Sequence, residues 1–266
     1  MPRKVALNAT PDERETSLAT RGKTRATSQA AIRKTEAIAA DETEKKSAVP
    51  KKHIGVDDLA RLALRGVLIA RDAAFNVHDL LTHSSRMAFL AIKDCEKELD
   101  LIERQIDERL PAAITRVDEA RARQLLASLK CTTDLERIGD LVMSVAMRVQ
   151  ARTVKIPAAD VRQLVEMSTI LRDMLDLIHK GFVALDLECA RQVLQKDKDI
   201  DRICHAMFHK HLAENIEQGD TSVFEVLLMA QALERAGDHT TNLAEDLYNL
   251  IEGRSLRHLP KKKAAQ

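Results

Sequence analysis

The hexapeptide LERIGD at residues 135–140 returns as LERAGD at 233–238, 98 positions later, each time within a long stretch whose apolar residues recur at spacings of three and four. Whatever one half of such a chain builds, the other must build again. Each copy also makes choices that an isolated helix would resist. Gly139 and Gly237 stand in helix interiors, where glycine costs about 1 kcal/mol relative to alanine. They lie between Glu136 and Asp140 and between Glu234 and Asp238. These acids, four residues apart, share a helix face, where like charges repel by roughly 0.2–0.5 kcal/mol. A local accident rarely happens twice.

The duplication extends upstream. KELDLI at 97–102 aligns with KDIDRI at 198–203 at an offset of 101, so the two registers differ by three residues in the connection that separates these motifs from LER-x-GD. Length changes of that kind are tolerated in loops. Helical periodicity from Val56 onward predicts six helices, near 57–82, 85–110, 116–152, 158–184, 186–216 and 221–252. Ser84 or Ser85 offers an N-cap, Pro111 and Pro157 suit chain breaks or first turns, and Gly219 with Asp220 marks another boundary. A period near 100 is too long for a solenoid unit. It points to an all-α fold of two tandem three-helix bundles, each burying the apolar stripes of its own helices. The expected divisions are a disordered tail over 1–52, repeats over 53–154 and 155–258, and a basic tail over 259–266. The first tail lacks clustered large hydrophobes and cannot bury enough apolar area to offset its ordering entropy.

Composition narrows the function. A formal net charge of +1 argues against a protein whose main business is neutralising nucleic-acid phosphates. With no Trp and a single Tyr248, residue usage is that of a helix bundle. Cys95, Cys131, Cys189 and Cys204 lie at no metal-knuckle spacing and read as reduced small hydrophobes. No apolar run approaches the roughly 20 residues of a membrane span, and no signal-peptide pattern opens the chain. The expectation is a soluble, cytoplasmic protein that inserts no segment into a membrane.

Aligning the copies exposes a second acidic pair in each. Glu96 and Asp100 on the middle helix of the first copy correspond to Asp197 and Asp201 in the second. Each copy therefore carries two helices of the form [ED]-x-x-x-D, and if the acidic faces meet, four carboxylates converge. Left alone they would raise one another's pKa values or push the helices apart. A hard cation with a preference for oxygen would make the same arrangement favourable. Gly139 and Gly237, lacking a Cβ, would let the neighbouring helix approach closely enough for short side chains to share the ion. A single E-x-x-x-D is ordinarily a solvated face, with Arg137 or Arg235 free to pair with nearby acids. Four occurrences at equivalent places weaken that reading. The histidines recur at no common spacing; His239, next to Asp238, stands out by position, although its counterpart is Leu141.

These segments resemble a known family. ALERAGDHTTNLAEDLYNLIEGRSLRH at 232–258 is similar to the C-terminal signature of the PhoU family of phosphate-transport regulators, and DLERIGDLVMSVA at 134–146 to its first-copy equivalent. EKELD and DKDID resemble its middle-helix motif. The resemblance implies paired three-helix bundles, metal ions at the carboxylate clusters, and no catalysis. The acids concerned are Glu96, Asp100, Glu136 and Asp140 in one copy and Asp197, Asp201, Glu234 and Asp238 in the other, with iron, zinc, manganese or magnesium as candidate ions. Asn242, one turn beyond Asp238, offers a further oxygen ligand to the second cluster, which Ser144 supplies less well to the first. The resemblance further implies a cytosolic negative regulator, peripherally associated with a membrane transporter. Its partners would be the ATPase of the phosphate ABC transporter and a sensor histidine kinase, and a second copy of the chain is another candidate partner.

Two other classes remain to be weighed. A carboxylate-bridged di-metal enzyme on a helical bundle would use paired Glu-x-x-His motifs; none occurs, and Asp176 to His179 is one unpaired approximation. A metal-free helical scaffold requires that the acids bind nothing.

Overall fold

Periodicity becomes six long helices: α1 (Val56–His83), α2 (Arg86–Ile114), α3 (Glu119–Ala151), α4 (Ala158–Ala184), α5 (Leu187–Asn215) and α6 (Thr221–Glu252). The computed structural model describes residues 56–152, 156–215 and 221–253. The expected tails over 1–52 and 259–266, the Gly219–Asp220 boundary and the last part of the signature, 254–258, lie outside the described residues.

Local chemistry sets most of the boundaries. Ser84 takes a left-handed conformation with φ of 52°, and Ser85 then caps α2 by accepting a hydrogen bond from the Ala88 amide at 3.2 Å. Asp118 caps α3 in the same way, accepting from the Arg121 amide at 2.9 Å. Pro157 immediately precedes α4, as a chain break should. Pro111 does not break α2, which runs on to Ile114. Its missing amide falls on the exposed side of the last turn, where the unbonded carbonyl of Asp107 can be hydrated. The α4–α5 turn has no glycine: Leu185 itself adopts φ 52°, ψ 47°, and Asp186 accepts from the Glu188 amide at 2.9 Å to start α5.

Within each copy the three helices touch one another pairwise. Between copies like meets like, for α1 packs on α4 and α3 on α6. The inner helices α1, α3, α6 and α4 thus close a ring of four, with α2 covering the α1/α3 edge and α5 the α4/α6 edge. The two tandem three-helix bundles are thus present as expected, and their apolar stripes merge into one continuous core. Helices α3 and α6 supply equivalent buried stripes, Leu135, Ile138, Val142, Val145 and Val149 against Leu233, Ala236, Thr240, Leu243 and Leu247. Thr240 replaces Val142 at no polar cost, since its hydroxyl donates to the Ala236 carbonyl at 2.8 Å. The consequence for function is positional: the acidic motifs of α2 and α5 lie on the outer helices, packed against α3 and α6.

Candidate functional site

Helices α2 and α3 run antiparallel, as do α5 and α6, so each acidic pair meets its partner in reverse order. In the second copy a Cβ built on Gly237 would lie 2.9 Å from Asp197 Oδ1 and 3.3 Å from Ile200 Cδ1. The space left by the missing methyl is where the Asp197 carboxylate sits. Asp197 Oδ1 is buried and accepts no hydrogen bond. Burial pushes its carboxyl up to about 7, and the charges of Asp201, Asp238 and Glu234 add to the shift. Glu234 is raised by burial and by Asp238 and Asp201, against the opposing pull of Arg235 and His205. Asp238 is raised by burial and by Asp201. Four carboxylates therefore share one interface, and the ionisation of Asp197, Glu234 and Asp238 is disfavoured there.

The first copy repeats the arrangement with looser geometry. Beside Gly139 the absent Cβ leaves room for Leu99, whose Cδ1 would be 2.7 Å away, while the Glu96 backbone is 3.9 Å distant. Glu96 is one methylene longer than its counterpart Asp197. Burial raises its carboxyl first, then Asp100 and Asp140. Glu136 is raised by burial and by Asp140, with Arg137 opposing. That arginine lies across the acidic face, its Nε 3.3 Å from Glu136 Oε2 and its Nη1 donating to Asp140 Oδ2 at 3.4 Å. Among the described residues Arg235, its equivalent, forms no ion pair within 4.0 Å. The pairing that would make such acids an ordinary charged face thus exists in one copy only.

Two neighbours were not singled out from the sequence. Glu103 extends the first face, its carboxyl raised by burial and Asp107 and in turn acting on Glu136. It stands seven residues after Glu96, a spacing that keeps it on the same stripe. Its counterpart in the second copy is Cys204, whose thiol is pushed up to about 11 by burial and by Glu234 and Asp201. Asn242 is placed differently from expectation. It turns inward, its Nδ2 donating to Asp134 Oδ1 of α3 at 3.0 Å, and His239 Nδ1 lies 2.7 Å from the same oxygen. Asp238 and Asn242 share a stripe in projection, but the Asn242 amide is engaged by Asp134 of α3.

Among the described residues no group of three or more His, Cys, Asp or Glu side chains is disposed to hold a metal ion as the side chains stand. The residues nevertheless fit a hard cation. The donors are all carboxylate oxygens, one of them is buried without a partner beside a glycine cradle, and their mutual repulsion is what a cation would relieve.

The fold and these faces define a class: an internally duplicated, six-helix protein with an acidic helix pair on each flank and among its described residues no helix long and apolar enough to cross a membrane. The PhoU domain model matches the chain twice, over residues 65–149 and 164–247, once for each set of three helices. The chain belongs to the PhoU family. It is 30% identical over 202 residues to a Rhizobium meliloti protein named phosphate-specific transport system accessory protein PhoU homolog, covering 73% of this chain and 83% of that one. A Pseudomonas aeruginosa protein of the same name is 27% identical over 210 residues, covering 76% and 86%. Crystal structures of PhoU from Pseudomonas aeruginosa (TM-score 0.64, 22% identity, 74% and 97% covered) and Streptococcus pneumoniae (TM-score 0.68, 20% identity, 76% and 97% covered) share the fold.

Proposed function

We propose that this chain is an accessory protein of a phosphate transport system and acts as a cytoplasmic negative regulator. In this reading it carries phosphate status by contact between the ATPase of the phosphate ABC transporter, at which it sits peripherally, and a sensor histidine kinase. The observation that carries the first step is that relatives named as accessory proteins of that system align with most of both chains. The chain acts by binding and not by catalysis. Its sequence holds no Glu-x-x-His pair, and Asp176, the nearest approximation with His179, faces Arg71 Nη1 at 3.4 Å.

Divalent cations at the two acidic faces belong to the same reading. Asp197, Asp201, Glu234 and Asp238 would hold one site, and Glu96, Asp100, Glu136 and Asp140 the other. A bound cation supplies positive charge where the carboxylates otherwise repel. The buried and unpartnered Asp197 Oδ1 supports this for the second copy. In the first, Arg137 already neutralises part of the face, so the second site should fill first. The role of Gly237 is to leave room for the Asp197 carboxylate; Gly139 leaves it for Leu99.

Capture of the tagged full chain from phosphate-replete and phosphate-starved cells, with mass spectrometry of what it retains and elemental analysis of the purified protein, tests both parts. The expected result is a transporter ATPase and a histidine kinase in the replete sample and a transition or hard divalent metal in the protein. Neither partner in either condition would overturn the adaptor role, and metal-free protein that also fails to take up added Mn2+ would overturn the site.

A further inference from the structure

The two acidic faces point away from each other, yet the helices that carry them are tied back to back. On α3, Asp134 and Glu136 are two residues apart and so project to nearly opposite sides, Glu136 toward α2 and Asp134 toward α6. On α6, His239 directly follows Asp238, turned by about 100° so that Asp238 faces α5 and His239 faces α3. Between them His239 Nδ1 meets Asp134 Oδ1 at 2.7 Å, and Asn242 Nδ2 donates to the same oxygen at 3.0 Å. Only 24% of the His239 side chain and 18% of Asp134 are exposed. A polar contact so shielded is stronger and more sensitive to geometry than a surface pair.

We propose that Asp134, His239 and Asn242 are positioning residues that couple the two acidic faces, so that a divalent cation at one changes the affinity of the other. This rests on the reading of the faces as cation sites. A helix segment of one turn moves as a unit, and both links of the chain fit within a turn. Drawing Glu136 and Asp140 toward α2 shifts Asp134 against His239, and His239 carries the shift to Asp238. The copies do not provide this contact twice. The positions related to Asp134, His239 and Asn242 by the duplication are Ala232, Leu141 and Ser144, which cannot form the same carboxylate-centred contact. The other cross-copy ion pairs of α3 and α6, Arg148 with Glu225 at 2.6 Å and Lys130 with Asp246 at 3.6 Å, do not flank an acidic pair on both helices.

Calorimetric titration of the full chain with Mn2+ tests the coupling, with melting curves to verify that each variant is folded. The first face is disabled by Asp100→Asn with Asp140→Asn, and the affinity of the remaining site is compared with and without His239→Gln. The expected result is a change of about 5-fold on disabling the first face, the lower end of usual coupling between sites, falling to below about 2-fold once His239→Gln is present. Asp134→Asn and Asn242→Ala serve as independent replacements should His239→Gln fail to fold. No Mn2+ binding by the wild type would overturn the cation reading and the coupling together. Two sites that ignore each other in the wild type would overturn the coupling alone. A 5-fold effect that persists in all three link variants would show that it travels by another route and would overturn the assignment to these residues.

Discussion

Replacing Asp197 by asparagine keeps the shape of a side chain lodged against Gly237 and removes the charge that its surroundings oppose. The carboxyl is pushed from the usual 3.8 to about 7, burial acting first and Asp201, Asp238 and Glu234 adding to it. A shift of about three units at roughly 1.4 kcal/mol each sets an upper bound near 4 kcal/mol on the cost of ionising it in the folded state. Partial solvent access reduces this to roughly 2 kcal/mol. The folded carboxyl holds its proton more tightly than the unfolded one. Its contribution is therefore fully present below pH 3.8 and is lost as the pH rises through about 7, leaving the wild type burdened at pH 8. In chelator at pH 8, Asp197→Asn should melt about 4–8 °C above the wild type, and the gap should narrow at pH 5, where Asp197 already holds its proton in the folded state. Excess Mn2+ should invert the order. If the face holds the ion, the wild type should gain RT ln(1 + [L]/Kd), about 2.7 kcal/mol at a hundredfold excess, whereas the variant would lack one of the proposed ligands. Scanning calorimetry at the two pH values, with chelator or Mn2+, reads all four conditions. Equal melting at pH 8 in chelator would refute the reasoning from burial and repulsion, and equal stabilisation of both proteins by Mn2+ would refute the ligand role.

Three further substitutions probe the difference between the copies. Arg137→Gln removes the cation lying over Glu136 and Asp140; Mn2+ should then bind the first face several-fold more tightly, and an unchanged isotherm would mean that Arg137 does not compete for it. Gly237→Ala gains about 1 kcal/mol of helix propensity but drives a methyl to 2.9 Å from Asp197 Oδ1, so thermal shift with Mn2+ should fall even where stability without metal is retained. Gly139→Ala meets the end of the Leu99 side chain instead, which can rotate, so it should stay within about 1 kcal/mol of wild-type stability and leave the Mn2+ response intact, as paired melts would reveal.

Much of the architecture was legible because its signals are local or repeated. Helix extents followed from three-and-four spacing and from Ser85, which acts within one turn; Asp118, the cap of α3, emerged only with the structure. The pairing of Glu96 and Asp100 with Glu136 and Asp140, and of Asp197 and Asp201 with Glu234 and Asp238, followed from duplication and short connections. What escaped was anything decided between the copies. Asn242 lies on the stripe of Asp238 in projection, and only the packing of α3 against α6 shows that its amide is already engaged by Asp134. The single glycine motif also concealed two different tenants, a leucine in one copy and a carboxylate in the other. Pro111 misled for a different reason, because an unbonded carbonyl costs little where water can reach it.

The contacts of α1 with α4 and of α3 with α6 set each helix against its own duplicate. That is the geometry of an isologous pair, in which one surface recognises a second copy of itself. A single three-helix half therefore already possesses a self-complementary face, and two separate halves would be expected to associate as a homodimer before any covalent joining. Joining them replaces a concentration-dependent association with an intramolecular one. It also frees the two faces from identity, for a mutation no longer appears on both sides at once. His239 opposite Asp134, with Leu141 and Ala232 at the mirrored places, is a contact that a symmetric dimer could only have acquired in duplicate.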